Sequence, residues 1–376
     1  MSRIDDLISK YCPSGVEYKK LVEVVDILDS QRKPVTKGDR VAGEYAYYGA
    51  NGIQDYVDKY IFDGTFLLVG EDGSVINKDK SPVLNWASGK IWVNNHAHIL
   101  KEKPEIANLR YLYFYLSTLD VSDLVHGTPP KLNQQNLKDI SVAIPPLPVQ
   151  EEIVKILDSF TMLEAELEAE LEARKKQYEH YRNKLLNFAD ILEGGVRLMA
   201  LSEIANVTIG EFVHKNNQSD DGLYPVYNGG TSNTGFYNEY NHTSNNIIIS
   251  ARGANAGFVN RVFVNYWAGN SCYSVDVIDR KNINWMYVYY VLKNSQQKLI
   301  GEQQTGSIPA ISKKQVENFM IPLPPLEEQE RIVSILDKFD ALVNDISEGL
   351  PAEIDARKQQ YEYYRNKLLD FQPIAE

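Results

Sequence analysis

Residues 182–188 of this chain read RNKLLNF, and residues 365–371 read RNKLLDF. Each is preceded by a matching lead-in, PPLPVQEEIVKILDSF over Pro145–Phe160 and PPLEEQERIVSILDKF over Pro324–Phe339. The lead-ins are offset by 179 residues and the closing motifs by 183, so the second helical segment carries four extra residues, around Glu348–Pro351. A duplication this long predicts two copies of one folding unit and pseudo-two-fold symmetry. Such a chain suits a ligand that is itself roughly two-fold.

The repeat extends beyond the helical segments. GVEYKKLVEV from Gly15 matches GVRLMALSEI from Gly195, EYAYYGANG over Glu44–Gly52 parallels LYPVYNGGT over Leu223–Thr231, and HGTPPKLNQQNL over His126–Leu137 parallels TGSIPAISKKQV over Thr305–Val316. Each mixed segment alternates β-branched and aromatic stretches with Gly, Asn and Asp turns, a strand-and-loop pattern. Thr65–Val69 and Lys90–Val93 read as strands in the first, Asn246–Ser250 and Arg261–Asn265 in the second. Ile106–Leu119 and Ile283–Leu292 read as the counterpart helices.

The two helical segments carry heptad-like stripes. Leu167, Leu171, Arg174, Tyr178, Tyr181, Leu185 and Phe188 form the first, and Ile346, Leu350, Ile354, Arg357, Tyr361, Tyr364, Leu368 and Phe371 the second. One stripe buried against one partner helix explains both. Of these, Leu167, Leu171, Tyr178, Tyr181, Leu185, Leu350, Tyr361, Tyr364 and Leu368 are the candidate partner-helix and spacer residues. Four added residues are the size of a stutter, and Gly349 and Pro351 are expected to kink or restart the second helix. About 40 residues at about 1.5 Å each make a rod of roughly 60 Å.

The length of 376 residues suits two or three domains, and 43% hydrophobic with 24% charged residues suits a soluble globular chain. No apolar run marks a leader or a membrane span, and two distant cysteines fit a reduced, cytoplasmic protein. The net charge of −12 argues against a polyanionic partner until it is located: residues 150–193 carry −5 and residues 326–376 carry −6, leaving −1 for all the rest. The acid lies on the helices, and the globular segments are free to hold local basic patches.

No phosphate-binding glycine loop, nucleophile elbow or paired CxxC is present. His96 and His98 share one strand face but have no third ligand in the pattern, so they read as ordinary strand histidines. What stands out is loop chemistry suited to nucleic acid. Tyr48 and Asn51 lie in the Tyr47–Gly52 loop, and Tyr227, Asn228 and Thr231 in its counterpart; small neighbours let a backbone approach closely. Arg252 and Asn255 lie in a third loop, whose counterpart Gly70–Ser74 is acidic. Arginine reads guanine, asparagine adenine, and a carboxylate can accept from cytosine. The GTPPKLN and GSIPAIS segments contribute Lys131, Asn133 and Ser307, followed by Lys313 and Lys314. Asn133 and Ser312 suit helix caps, where phosphate also binds, although simple helix entry accounts for them equally.

Tandem variable units, each followed by PPLxxQExIVxILDxF and a long helix ending in YRNKLLxF, resemble the specificity subunit of a Type I restriction–modification system, over essentially the whole chain. The resemblance implies an α+β architecture: two similar α/β target-recognition domains joined by two long antiparallel coiled-coil helices, pseudo-two-fold symmetric. The domains are then 1–147, a central helix 148–193, 194–325 and a C-terminal helix 326–376. It implies double-stranded DNA as ligand, each domain reading one half of a bipartite asymmetric site and the helices fixing the gap. It implies no catalysis and no cofactor in this chain. Two adenine methyltransferase subunits would carry S-adenosylmethionine, and two restriction–motor subunits would use ATP. The competing reading is a coiled-coil adaptor without DNA readout, against which stand two loop-rich units instead of bare helices.

Overall fold

The computed structural model describes residues 3–187, 196–301, 309–345 and 347–374. They fall into two compact units, residues 1–167 with 354–376, and residues 168–353.

The first unit begins with α1 (Arg3–Tyr11) and β1 (Glu17–Lys20). A single helical turn, α2 (Leu21–Val24), starts there because Glu23 accepts the Lys20 N–H at 2.7 Å, the return half of a capping box. β2 (Val25–Ile27), β3 (Ala42–Gly49), β4 (Gly52–Val57), β5 (Phe62–Gly70), β6 (Leu84–Val93) and β7 (Ala97–Glu102) build one sheet in the order β2-β7-β5-β6-β3-β4. Only the β3–β6 pair is parallel. α3 (Leu109–Leu116) is shorter than the Ile106–Leu119 expected, because Asn108 caps it by accepting the Arg110 and Tyr111 N–H groups. It buries Tyr111, Leu112, Phe114 and Leu116 in a core shared with Leu67 and Leu100 of the sheet. α4 (Gln134–Asp139) and β8 (Ser141–Ile144) follow, β8 pairing antiparallel with β1. The Val16 N–H donates to the Gln372 carbonyl at 2.8 Å, and the Tyr18 hydroxyl to that of Phe371 at 2.7 Å, so the chain's C-terminal segment completes this unit.

α5 (Leu147–Leu185) leads to the second unit, which repeats the plan. β9 (Arg197–Ala200) and the one-turn α6 (Leu201–Ile204) match β1 and α2, and Glu203 accepts the Ala200 N–H at 2.6 Å. Then come β10 (Ala205–Ile209), β11 (Tyr224–Tyr227), β12 (Gly235–Tyr237), β13 (Asn246–Ser250), β14 (Val259–Val262), β15 (Trp267–Ala268) and β16 (Cys272–Val277). α7 (Trp285–Asn294), α8 (Gln296–Gly301), α9 (Lys313–Glu317) and β17 (Met320–Leu323) close the unit, with β17 antiparallel to β9.

One expectation fails here. Arg261–Asn265 is not a single strand. In the first unit the ten residues of β6 reach both β5 and β3; in the second, the equivalent stretch breaks between β14 and β15. The Asn265 side chain accepts the Ser244 N–H at 3.0 Å, and Phe263 and Val264 turn to solvent. One six-stranded sheet thus becomes two, β10-β16-β13-β14 and β12-β11-β15.

The C-terminal helical segment restarts at the expected Gly349–Pro351 position and forms two helices, α10 (Leu326–Asn344) and α11 (Leu350–Leu369). The Asp345 carboxylate accepts the Ser347 and Glu348 N–H groups, at 2.7 and 3.2 Å. A Cβ on Gly349 would sit 2.5 Å from the Ala341 carbonyl oxygen, so the chain comes back too closely there for any side chain. The extra residues make a turn, not a stutter. Ile346 and Phe188 lie outside the described residues.

Within the first unit the early half of α5 packs antiparallel on α11: Phe160 stacks on Tyr364 at 5.5 Å and Glu164 pairs with Lys358 at 3.4 Å. Val149, Ile153 and Leu157 share a core with Leu368, Leu369 and Phe371, and Tyr361 packs against it. Within the second unit, Tyr178 and Tyr181 stack on Phe339 of α10 at 6.2 and 5.5 Å. Leu171 and Leu185 pack on the same core, while Leu167 and Leu350 are half-buried.

Candidate nucleic-acid interface

In the first unit four segments meet at one end of the sheet: the β3–β4 turn, the loop after β5, the β6–β7 turn and residues 126–132. Four backbone hydrogen bonds lock them. Asn94 donates to Tyr48 at 3.0 Å, Glu71 to His96 at 2.8 Å, Gly73 to Pro130 at 2.9 Å and Leu132 to Glu71 at 2.9 Å. The second unit repeats all four. Gly269 donates to Tyr227 at 2.8 Å, Ala251 to Ser271 at 2.8 Å, Gly253 to Pro309 at 2.9 Å and Ile311 to Ala251 at 3.0 Å. The lock therefore aligns the units residue by residue: Tyr48 with Tyr227, Glu71 with Ala251, Asp72 with Arg252, Lys131 with Ala310. Gly73 and Gly253 share left-handed φ values of +80° and +89° in open space, the same turn in both copies.

This frame places the candidate residues unevenly. Arg252 and Asn255 stand exposed on the loop after β13, and among the described residues Arg252 makes no ion pair. Asn51 and Thr231 are exposed on the matching turns. Lys313 pairs with Glu317 at 3.3 Å and Lys314 is exposed, both in the first turn of α9. Asn133 caps α4, accepting the Asn136 N–H at 2.8 Å, and Ser312 forms a full capping box with Gln315. Asn228 is half-buried and its side chain accepts the Ser271 N–H at 3.3 Å, bracing the loops.

Tyr48 requires correction. It points into a small core with Phe62, Leu68 and Val93, where burial raises its pKa, and it packs instead of reading a groove. Its counterpart Tyr227 is half-buried against Tyr266, rings at 6.0 Å. Lys131 is exposed, but its ammonium is held by Glu71 at 3.1 Å. Glu71 is itself buried, so the loop after β5 cannot offer that carboxylate to a base. Ser307 lies outside the described residues.

Glu71 belongs to a buried cluster that no motif announces. His98 places Nδ1 2.6 Å from the Asp29 carboxylate and Nε2 2.8 Å from the Leu132 carbonyl. Asp29 also accepts from Gln134 at 2.9 Å and from the Ile99 N–H at 3.1 Å. The Arg32 guanidinium pairs with Glu71 and lies 3.4 Å from Asp29. Donor atoms of Asp29, Glu71 and His98 lie within 4.8 Å of one another, but Arg32 and Lys131 already neutralise the carboxylates, so the set does not fit a metal ion. His96 is exposed and paired with Asp72 on the surface. Asp29, Glu71 and His98 are scattered along the sequence, and only the sheet assembles them.

Burial works to raise the pKa of Asp29, yet hydrogen bonds from His98 and Gln134 and the charges of His98 and Arg32 hold it below its ordinary 3.8. A depressed carboxylate stabilises the fold above the unfolded-state pKa and loses that contribution as pH falls through the folded-state value. Asp29→Asn should cost the first unit about 3 kcal/mol at neutral pH. In calorimetric scans the gap between variant and parent should narrow below about pH 4, where unfolded carboxylates begin to protonate. A gap constant throughout the acid range would show that the charge contributes nothing.

Among the described residues no helix is long and apolar enough to cross a membrane. A model of the family described as type I restriction modification DNA specificity domain matches residues 13–173 and again 194–356. A Haemophilus influenzae protein provisionally named a type I restriction enzyme specificity subunit is 37% identical, covering 95% of this chain and 96% of its own. A type I restriction enzyme specificity subunit of Escherichia coli is 32% identical over 85% of this chain and 89% of its own. Among solved structures, a type I restriction–modification S subunit from M. genitalium superposes with a TM-score of 0.66 at 18% identity, covering 94% of this chain and 96% of that one. Two family matches in tandem, on two units that share one loop lock, establish that this chain belongs to the type I restriction–modification DNA specificity family as a two-domain specificity subunit.

Proposed function

We propose that this chain is a non-catalytic targeting subunit whose two globular units each read one half of a bipartite, asymmetric DNA site. It directs adenine methyltransferase and restriction subunits there, with the long helices setting the gap between the halves. The observation that carries the reading is the repeated lock with unequal contents. The same backbone turn carries Asp72 in one unit and an exposed Arg252 in the other, so the two half-sites should differ. Phosphate contacts from exposed lysines such as Lys314 would position each unit without adding sequence information. The −11 net charge of residues 150–193 and 326–376 together suits helices that meet protein subunits, not phosphate. S-adenosylmethionine and ATP belong, on this reading, to two methyltransferase and two restriction subunits in a cytoplasmic complex.

Base-resolution methylation mapping in cells expressing the chain with its methyltransferase tests the reading. A bipartite motif with methyladenine in both halves, lost on deleting this chain, is expected. An unchanged map from an assembled complex would favour the adaptor instead. Arg252→Ala should relax one base position in one half-site only, by about 1–3 kcal/mol if the guanidinium is bidentate to guanine. An unaltered motif would remove Arg252 from the reading residues.

A further inference from the structure

We propose that the buried Asp29–Arg32–Glu71–His98 cluster is a positioning device that fixes the first unit's reading loops and so sets selectivity at one half-site alone. The proposal rests on the DNA-reading function above.

The cluster ties four chain segments that no single secondary structure element connects. Arg32 donates through Nε to the Asp29 carbonyl at 3.0 Å and through its terminal nitrogen to the Ala97 carbonyl at 2.8 Å, while pairing with Glu71. Glu71 reaches out to Lys131, and His98 holds the neighbouring Leu132 carbonyl. Asp29 reaches Gln134, the first residue of α4. The segment from 131 to 134 is thus held at three points, Lys131, Leu132 and Gln134, and Asp72 and His96 pair with each other on the same two segments that carry Glu71 and His98.

The second unit supplies an internal control. It makes the same four backbone hydrogen bonds with Ala251 in place of Glu71 and Ala310 in place of Lys131. Tyr273 replaces His98, its hydroxyl donating to the Ile311 carbonyl at 3.1 Å. Among the described residues, the loop lock is therefore obtained there without a charge cluster at these positions. Desolvating several ions generally adds little net stability, and where such groups earn their place it is by fixing one geometry among near alternatives. In the first unit that geometry is the placement of the loops that present Asp72 and the 126–132 segment.

The test uses the complex assembled with the methyltransferase, carrying Glu71→Ala or Lys131→Ala. Methylation kcat/KM is measured on the cognate duplex and on duplexes mismatched singly in either half. The ratio of cognate to mismatched rates does not depend on the fraction of active protein, so loss of stability alone leaves it fixed. Both variants should lower that ratio about tenfold in the half-site that Arg252→Ala leaves untouched, and leave the other half unchanged. Lys131→Ala alters a half-exposed side chain and keeps the test open should Glu71→Ala fail to fold. If Lys131 merely touched phosphate, its removal would slow cognate and mismatched duplexes alike. Unchanged ratios in the folded variants, or an equal fall in both halves, would overturn the proposal. A parent complex that discriminates in neither half would instead sink the DNA-reading function itself.

Discussion

Replacing Arg261 with alanine should lower the stability of the second unit by about 2–3 kcal/mol. The guanidinium leaves β14 and lies among α7 and α10, pairing with Asp340 and approaching Asp337 at 3.8 Å. It donates to the Tyr290 hydroxyl at 3.3 Å and lies 5.1 Å from the Tyr289 ring centre. Tyr290 in turn donates to Asp337 at 2.5 Å; burial and that carboxylate both push its pKa well above the tyrosine range, so it stays a donor at any ordinary pH. Burial opposes the charge on Arg261, but the adjoining tyrosine rings and Asp340 hold its pKa above normal. Truncation removes the cation facing both carboxylates on α10, leaving Asp337 its bond from Tyr290 and Asp340 its bond from Asn344, and opens the packing over Tyr289. A fully buried broken pair costs about 3–5 kcal/mol, and the partial exposure of Asp337 and Asp340 brings this down. For a unit of this size the melting temperature should fall by roughly 5–10 °C. Arg261→Lys should recover only part of it, because a point charge cannot serve both carboxylates and the rings at once. A shift below about 1 °C, against the roughly 2–4 °C expected per kcal/mol, would show that the network is ornamental to stability.

Gln329→Leu should cost about 3 kcal/mol, and Gln150→Leu the same in the first unit. Both glutamines are fully buried at the start of a long helix. Gln329 accepts the Asn284 N–H at 2.9 Å and donates to the carbonyls of Pro324 and Asn282 at 2.8 and 3.3 Å. Gln150 accepts the Asn108 N–H at 2.8 Å and donates to Pro145 and Ile106 at 2.7 and 3.0 Å. Leucine fills the same volume but leaves a buried N–H and two carbonyls unpaired. Each unsatisfied buried group costs about 1–3 kcal/mol, partly relieved by relaxation. Hydrogen exchange at Asn284 or Asn108 reads the effect directly: the amide should lose protection only in the unit carrying the substitution. Protection kept in both variants would mean that water or a shifted backbone replaces the glutamine at little cost.

Each of these glutamines sits in the lead-in that the sequence repeats, PVQEE and LEEQE, and their shared role shows how far the repeat could be read. Periodicity and capping are local. Asn133 and Ser312 cap helices as their residue types dictate, the glutamate pairs at Glu23 and Glu203 start one-turn helices, and the stripe tyrosines meet Phe160 and Phe339. Gly349 and Pro351 mark the helix restart for the same reason: backbone sterics act within a few residues.

Other features depend on partners far away in sequence. Tyr48 in a Tyr-Tyr-Gly loop looks like an exposed reader, but pairing with β4 and β6 turns it inward, since strand residues alternate faces and register decides which face is covered. Glu71 looks like a free acid until Arg32, 39 residues earlier, neutralises it, and His98 looks unremarkable until Asp29, 69 residues away, meets it. The duplication, the helix boundaries set by caps and the partly buried helix stripes were determined by the sequence itself, because their causes lie within one or two turns of chain. The loop lock, the charge cluster beneath one copy of it and the split of the second sheet were decided by tertiary structure alone, because sheet register brings together groups whose spacing along the chain carries no signal.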